Sequence, residues 1–440
     1  NFLALNESWT VTEYIEKLSN ERNRLSELKS PDDPDLDVEA AIQLSYVQLN
    51  KEAQMHWRKL AVFPAPFDYQ AAAAVLELAE KETRTQLDLL RHFSFVSFEE
   101  EQNQYHLHDL LRDFTRKELK TEENFSASLN HARYYKEIAS YADQLYLQGG
   151  ENILKGLAFF DAHWAHIQKG QAWSSQEKEC EKTLELAMHY PDAGLYCLDL
   201  RLHPYTKIAW LETVLESTRI LKRKHFEGTA LGNLSLAYAK LGNTTKAIQY
   251  NDQALRIFRE VGDRRQEGVA LDNLGLNYSD MKDFNKAVRL HTQALEISRE
   301  VTSQRDEGNA LGNLGSVYYA LGDISKAISF YEQQLVIVRE MGDLRSEGGT
   351  LGNLGNTYYK LKNLIKANSF YEKQLAIAYK IGDQVSAGNA YTNMALAHKA
   401  LGKPAKAKNL WQQALKIYQT IESPVAERVQ GWLDELEESE

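Results

Sequence analysis

Between Glu227 and Pro424 one pattern returns five times at an unvarying period of 40 residues. Leu231-Gly232-Asn233-Leu234, Leu271-Asp272-Asn273-Leu274, Leu311-Gly312-Asn313-Leu314, Leu351-Gly352-Asn353-Leu354 and Tyr391-Thr392-Asn393-Met394 occupy the same four places. A fixed period of this size is the signature of a solenoid, whose units cannot bury their apolar faces alone and must stack on their neighbours. The period therefore restricts the second half of the chain to an open, repetitive architecture.

Within one unit the spacing is helical. Leu311, Leu314, Gly315 and Tyr318 follow an i, i+3, i+4, i+7 stripe, and Ala327, Ile328, Tyr331, Leu335 and Val338 form a second one. Gly322-Asp323 breaks the chain between the stripes and Gly342-Asp343 breaks it after them. Each unit reads as a helical hairpin plus a short loop. Small residues recur where the two helices would cross: Ser235, Gly275, Gly315, Gly355 and Ala395 on the first, Ala247, Ala287, Ala327, Ala367 and Ala407 on the second. Glycine inside a helix costs about 1 kcal/mol relative to alanine, so its recurrence calls for a packing reason, and close approach of the backbones supplies one.

The phrase Leu311, Leu314-Gly315, Tyr318, Ala327, Tyr331, with its equivalents in the other units, resembles the tetratricopeptide repeat. The 40-residue period is similar to the longer-helix variant of kinesin light chains and related peptide-binding adaptors. The proline that usually closes such a repeat is missing. Gly-Asp stands there in most units and Thr302-Ser303 in another, and the fifth unit carries His398 where tyrosine is usual.

The remaining chain sets bounds. The 440 residues hold only two cysteines, Cys180 and Cys197, too few for a disulfide framework or a thiolate metal site, which fits a reducing cytoplasm. There is no apolar run long enough to span a bilayer and no signal-like opening, so no membrane contact is expected. The chain opens on Asn1 inside an apolar helical phrase, as a piece of a longer polypeptide would. The net charge of -11 is uneven: residues 227–424 carry 24 Lys/Arg against 20 Asp/Glu, residues 1–226 carry 26 against 36, and residues 425–440 carry 1 against 6. No segment offers a basic surface, which argues against nucleic acid as a partner.

Taken in order, Tyr14, Ile15, Leu18, Leu25 and Leu28 keep helical spacing until Pro31-Asp32-Asp33-Pro34-Asp35 breaks it. Residues 31–120 predict helices near 38–49, 51–62, 68–79 and 82–92. Phe93–Phe98 and Gln104–His108 then alternate like strands around a turn at Glu99–Asn103, and a closing helix has Asp109 as its expected N-cap. Helices followed by a two-stranded ribbon predict a winged helix. Its 10 Lys/Arg against 17 Asp/Glu would repel a phosphate backbone. Residues 121–226 read as aromatic-rich helices opening the superhelix as degenerate repeats, and residues 425–440 as a capping helix. The expected fold is mainly α: a small winged-helix domain followed by an α-α superhelix.

Ser45–Leu49, Leu60–Pro64, Leu87–Leu90, Phe95-Val96 and Tyr105–Leu110 together resemble the winged-helix segment of NB-ARC proteins, the STAND signal-transduction ATPases. Residues 1–30 resemble the end of the helical subdomain that precedes it. In that family a Met-His-Asp motif closes the winged helix, and Leu107-His108-Asp109 matches two of its three places. The resemblance implies that His108 senses bound ADP in the parent protein, with Asp109 as its structural partner. No G-x-x-x-x-G-K-[ST] occurs in the sequence, so ADP or ATP would bind an upstream domain in cis, and no cofactor is expected in this chain.

No local nucleophile signature such as G-x-S-x-G appears, and enzyme activity within these residues is not expected. His106 and His108 share a face of the expected strand, but no Cys or further His stands beside them to complete a metal site. The repeat groove remains. Asn233, Asn273, Asn313, Asn353 and Asn393 fall on the first helix of every hairpin, which in tetratricopeptide superhelices lines the concave side. An amide donates and accepts at once and so suits an extended peptide backbone; the same amides could equally bond the adjacent repeat and hold the stacking angle. Leu236, Leu276, Ser316 and Asn356, with Tyr319 and Tyr359 further along, complete a neutral trough. Recurrent Glu227, Glu267, Glu307 and Glu347 with Arg259, Arg299 and Arg339 predict inter-repeat ion pairs.

The reading that follows is a sensor arm of a STAND ATPase, taking a protein or peptide in the groove. Two alternatives stay open. One is a small-molecule inducer site with Tyr319, Tyr359 and Trp411 as stacking candidates; the other is an autoinhibitory or homo-oligomeric scaffold.

Overall fold

The computed structural model describes residues 42–43, 45–148 and 151–437. The expected helices of residues 1–30, most of the one near 38–49, the Gly149-Gly150 interruption and the last acidic residues lie outside these. The chain divides into two compact units, Asn1–Lys222 and Arg223–Glu440.

Unit 1 begins with α1 (Lys51–Leu60), α2 (Tyr69–Leu76) and α3 (Glu80–His92), then β1 (Ser97–Glu99), β2 (Gln104–His106) and α4 (Asp109–Glu118). Asn50 and Asp68 cap the first two helices by accepting from Ala53 N-H and Ala71 N-H. The strands pair antiparallel with Phe98 opposite Tyr105. The ribbon is shorter than the sequence alternation predicts. Phe93–Val96 leave α3 as a tight turn because Ser94 takes φ 59° and Phe95 N-H returns to Leu90 C=O at 2.9 Å. Phe95 and Val96 are thereby freed to enter the core. Trp57, fully buried, lies 4.0 Å from the Phe95 ring and 5.8 Å from Phe114.

Five further helices complete unit 1: α5 (Thr121–Leu147), α6 (Glu151–Gln176), α7 (Glu181–Ala193), α8 (Leu195–Arg201) and α9 (Pro204–Ile220). Each contributes buried residues, from Ala127 of α5 to Trp210 of α9, to one continuous core shared with the ribbon module. Arg58 of α1 bonds Glu123 of α5 at 2.7 and 2.8 Å, and this pair holds the Glu123 carboxyl below its usual range. His131 Nε2 faces His166 Nδ1 at 3.4 Å, and His166 Nε2 donates to Pro66 C=O at 3.0 Å, tying α5 and α6 to the loop before α2.

Unit 2 is the repeat array. Its first helices are α10 (Lys224–Lys240), α12 (Arg264–Asp280), α14 (Gln304–Leu321), α16 (Leu344–Lys360) and α18 (Gln384–Ala400). Its second helices are α11 (Thr244–Val261), α13 (Phe284–Glu300), α15 (Ile324–Glu340), α17 (Leu364–Ile381) and α19 (Pro404–Thr420), with α20 (Val425–Glu437) packed on α19. Most of the loops are built alike: one left-handed residue, then an Asp or Asn whose side chain caps the next helix. Gly322 sits at φ 86°, Asp323 N-H returns to Tyr318 C=O at 3.0 Å, and Asp323 Oδ1 accepts from Lys326 N-H. Thr302 holds the left-handed place at φ 54°, an unfavourable conformation for a β-branched residue.

The small residues of the first helices make room for rings as well as backbones. A Cβ on Gly275, Gly315 or Gly355 would stand 2.4–2.6 Å from His291, Tyr331 or Tyr371 of the same hairpin. The recurrent ion pairs are present: Arg259–Glu267 at 2.8 Å, Arg299–Glu307 and Arg339–Glu347 at 2.7 Å. Each joins the end of one hairpin to the start of the next.

Candidate functional site

Successive first helices in unit 2 also touch one another directly, α10 on α12 and so on to α18, so they form the inner wall of the array. The five asparagines fall on this wall and divide into two sets. Asn313 Nδ2 donates to Asp272 Oδ2 at 2.8 Å, and the other oxygen of Asp272 takes 2.6 Å from Nδ1 of the fully buried His291. Asn393 Nδ2 donates to Asn356 Oδ1 at 3.3 Å. Both amides bridge one repeat to the preceding one. The side-chain amides of Asn233, Asn273 and Asn353 have no hydrogen-bond partner among the described residues; the first two are half-buried and Asn353 is exposed. An exposed amide without a protein partner retains its full capacity to donate and accept.

The surrounding positions are likewise mixed. Leu236 and Leu276 are exposed large apolar side chains at 43% and 40%, spaced one repeat apart. The hydroxyl of Ser316 shares a hydrogen bond with Tyr331 at 3.0 Å, and Asn356 Oδ1 accepts from Tyr371 at 2.8 Å, so both are anchored to their own hairpins. Tyr319 lies under the Lys360 ammonium, 4.3 Å from the ring centroid, while Tyr359 is half-buried. Trp411 is fully buried and packs on Trp432. That removes it from the stacking candidates: its place opposite Ala395 is held in the three preceding repeats by the buried rings of His291, Tyr331 and Tyr371.

At the far end of the wall lies a cleft of about 460 Å³ bounded by Asn353, Asn356, Asn389, Asn393, Gln374 and Arg428. Gln374 of α17 is 7% exposed and lies against Gly352, whose missing Cβ gives it space; its Oε1 has no partner. Asn389 Oδ1 accepts from Tyr418 at 2.7 Å. Arg428 and Trp432 come from α20. Reading the first helices alone misses Gln374 and Arg428, because one sits on a second helix and the other beyond the last repeat. The signal within reach was Gly312 and Gly352, each followed 22 residues later by a glutamine, Gln334 or Gln374.

In unit 1 the alternation that puts His106 and His108 on one strand face fails, because β2 ends at His106. His108 is the N-cap of α4 in place of Asp109, its Nδ1 accepting from Leu110 N-H at 3.3 Å. Its ring is exposed, and Asp109 pairs with Arg112 at 2.6 Å. Among the described residues no cluster of three or more His, Cys, Asp or Glu could hold a metal ion, and no helix is long and apolar enough to cross a membrane.

Residues 226–300, 266–340 and 346–420 match the tetratricopeptide repeat family. These hairpins are tetratricopeptide repeats. Regulatory protein AfsR of Streptomyces coelicolor is 36% identical over 115 residues, 26% of this chain and 11% of AfsR. The AfsR of Streptomyces griseus is 37% identical over 116 residues, with the same shares. The aligned part thus spans about a ninth of the length of these curated relatives. Among solved structures, a signal transduction ATPase with numerous domains and a tetratricopeptide repeat sensor from Pyrococcus horikoshii is 19% identical. That alignment covers 99% of this chain and 67% of the other, at a TM-score of 0.47. BtubC from P. vanneervenii is 21% identical over 50% of this chain and 93% of its own, at 0.46. At these scores the structural likeness carries no argument about function.

Proposed function

We propose that the tetratricopeptide repeats are the sensing arm of a signalling ATPase of the STAND type and take an extended peptide, or an extended segment of a partner protein, along the inner wall. The observation that carries this reading is the division of the asparagines. Stacking employs Asn313 and Asn393, and it leaves Asn233, Asn273 and Asn353 with unused amides on a wall that also exposes Leu236 and Leu276. Free amides serve the alternating N-H and C=O of an extended chain, and the leucines offer contact to its side chains. The similarity to regulatory proteins agrees with a signalling role.

In the parent protein, ADP or ATP would occupy an upstream domain in cis. His108 is suited to report on it: its Nδ1 is committed to capping α4, which leaves Nε2 of an exposed ring to donate to a diphosphate.

Selection of random displayed peptides on the full chain tests the groove. Selected peptides are expected to lose about tenfold or more in affinity on the double variant Asn273→Ala, Asn353→Ala, which removes two amide contacts. They should keep their affinity on Glu296→Ala of α13, an exposed second-helix position. The reverse pattern, or peptides indifferent to both, contradicts the proposal.

A further inference from the structure

We infer that the row of hairpin turns along one edge of the tetratricopeptide array docks on an anionic lipid surface. This contact is separate from the peptide groove, since it uses the ends of the helices and not the inner wall.

The array has two edges. The turns inside the hairpins, residues 239–247, 279–287, 319–327, 359–367 and 399–407, stand at one end of helices 17 or 18 residues long. The joints between hairpins, residues 259–267, 299–307, 339–347 and 379–387, stand at the other end, about 25 Å away. Neighbouring turns meet: Lys360 Nζ donates to Tyr319 C=O of the preceding repeat at 3.0 Å. The five turns hold eleven lysines, no arginine and three carboxylates, whereas the four joints hold eight Lys/Arg against ten Asp/Glu. A sum over residues 227–424 averages the two edges, which is why no basic surface shows in it.

The cations of the two edges are also employed differently. At the joints they are mostly arginines held by carboxylates, as Arg259 is by Glu267, Arg264 by Glu300 and Arg265 by Asp306. At the turns, Lys246, Lys286, Lys326 and Lys366 lie over tyrosine rings of their own hairpins at 3.8–4.7 Å, a placement that keeps their charge. Lys326 also pairs with Asp323 at 3.1 Å. Lys282, Lys362, Lys403 and Lys406 are exposed and have no ion-pair partner among the described residues. Lys282 and Lys362 stand at φ 63° and 60°, in the left-handed place that Gly242, Gly322 and Gly402 hold in the sister repeats. A side chain is strained there, and what lysine adds is an ammonium at the apex of the turn.

Charge complementarity calls for an anionic partner, and the apolar side chains among the lysines specify its kind. Met281, Leu321 and Leu361 are exposed at one place of three successive turns, and Ile365 is 77% exposed beside them. A lipid surface takes both, headgroup charge against lysine and acyl carbon against leucine or methionine. The phosphate backbone of a nucleic acid makes no use of the leucines. Bases would find Tyr318 and Tyr358 already covered by lysine and stacked on Phe330 and Phe370. Val261 and Met341 are exposed at the joints as well, so it is charge that distinguishes the edges. No helix among the described residues is long and apolar enough to cross a membrane, and the contact inferred is peripheral.

The test is flotation of the full chain with vesicles of phosphatidylcholine alone and of phosphatidylcholine with an equal part of phosphatidylglycerol. Because the chain carries a net charge of -11, binding to an anionic surface reports a local patch. The chain should float with the anionic vesicles only, and less so as salt is raised. Lys282→Gln combined with Lys362→Gln, Lys403→Gln and Lys406→Gln should lower partitioning about tenfold or more. Four exposed cations removed away from the turns, Arg256→Gln with Arg345→Gln, Lys380→Gln and Lys416→Gln, should leave it within about twofold. Met281→Ser with Leu361→Ser should weaken it severalfold without changing its salt dependence. Absence of flotation, or equal loss in both charge variants, overturns the docking edge. Serine variants that bind like the parent overturn lipid as its occupant. So does displacement of the vesicles by poly-glutamate or a random-sequence DNA duplex at matched charge concentration, which would assign the edge to an acidic polypeptide or a nucleic acid.

Discussion

Unit 1 and unit 2 solve the same problem, burying apolar surface between helices, over different distances along the chain. In unit 2 the contacts that fix geometry are short in sequence: Arg259 to Glu267 spans 8 residues, Ser316 to Tyr331 15, and Asn313 to Asp272 about one repeat, 41. In unit 1 the corresponding contacts reach 58 residues from Tyr190 to Ala132, 65 from Arg58 to Glu123 and 100 from His166 to Pro66. Local contacts repeat and can be read as a period. Distant contacts occur once, and their partners carry no mark of each other in the sequence.

The comparison can be broken hardest in unit 1. Trp57→Ala empties a fully buried site ringed by Tyr46, Phe95 and Phe114 and should cost about 3–5 kcal/mol. Hydrogen exchange resolved by peptide should accelerate over residues 51–118 while residues 264–400 keep their protection. Equal acceleration in both would show that the two units do not unfold separately.

Acid should act on unit 1 nearly as strongly. Burial first, and then the charges of His163, Lys169 and Arg112, push His166 down to about 4, against the bond to Pro66 that raises it. Burial and His166 likewise hold His131 well below its ordinary value. Protonating His166 would place a hydrogen on Nδ1, where His131 Nε2 stands at 3.4 Å. The folded pKa lies below the unfolded one, so this stability is complete above about pH 6.5 and is lost as pH falls toward 4. The loss is on the order of 3 kcal/mol. His166→Gln should flatten the pH dependence of urea midpoints followed in unit 1; an unchanged slope would contradict the assignment.

In unit 2 the sharpest break is Gly355→Val. Its Cβ would meet the Tyr371 ring at 2.4 Å, and overpacking of this kind costs about 2–3 kcal/mol despite the better helix propensity of the new residue. Gly349→Ala, on the same helix with nothing within 4 Å of the added Cβ, should instead stabilise by about 1 kcal/mol. The smallest effect tests the loops: Thr302→Gly relieves a left-handed threonine and should stabilise by about 1 kcal/mol, whereas Gly322→Ala should cost about the same. Thermal melts of the four variants decide whether packing and loop conformation act as assigned.

Legibility followed contact distance. The period, both helix stripes, the Gly-Asp breaks and the Arg–Glu pairs of unit 2 were readable because each lies within one repeat or across one joint. The strand expected over Phe93–Phe98 begins only at Ser97, because alternation cannot distinguish an extended segment from a turn that delivers Phe95 and Val96 to the core. For the same reason the strand pattern ran past His106 and hid His108 as a cap. All five asparagines were legible as positions, but their division was not. It depends on Asp272 taking the place of glycine in the second repeat and on Asn356 taking the place of serine or leucine in the fourth, each supplying a partner to the next first helix but one joint away. Gln374 and Arg428 lie off the first helices that carry the asparagine pattern, one on α17 and the other on α20, so the period does not mark them.

The division of the asparagines is also where the account is most exposed. The decisive measurement pairs affinity with stability: dissociation constants for a library-selected peptide, and melting temperatures, for Asn313→Ala and for Asn273→Ala with Asn353→Ala. The account predicts that the double variant melts as the parent does and binds about tenfold or more weakly, while Asn313→Ala melts lower because it leaves Asp272 half-paired. A double variant that binds like the parent, or that loses affinity only in proportion to lost stability, would contradict it.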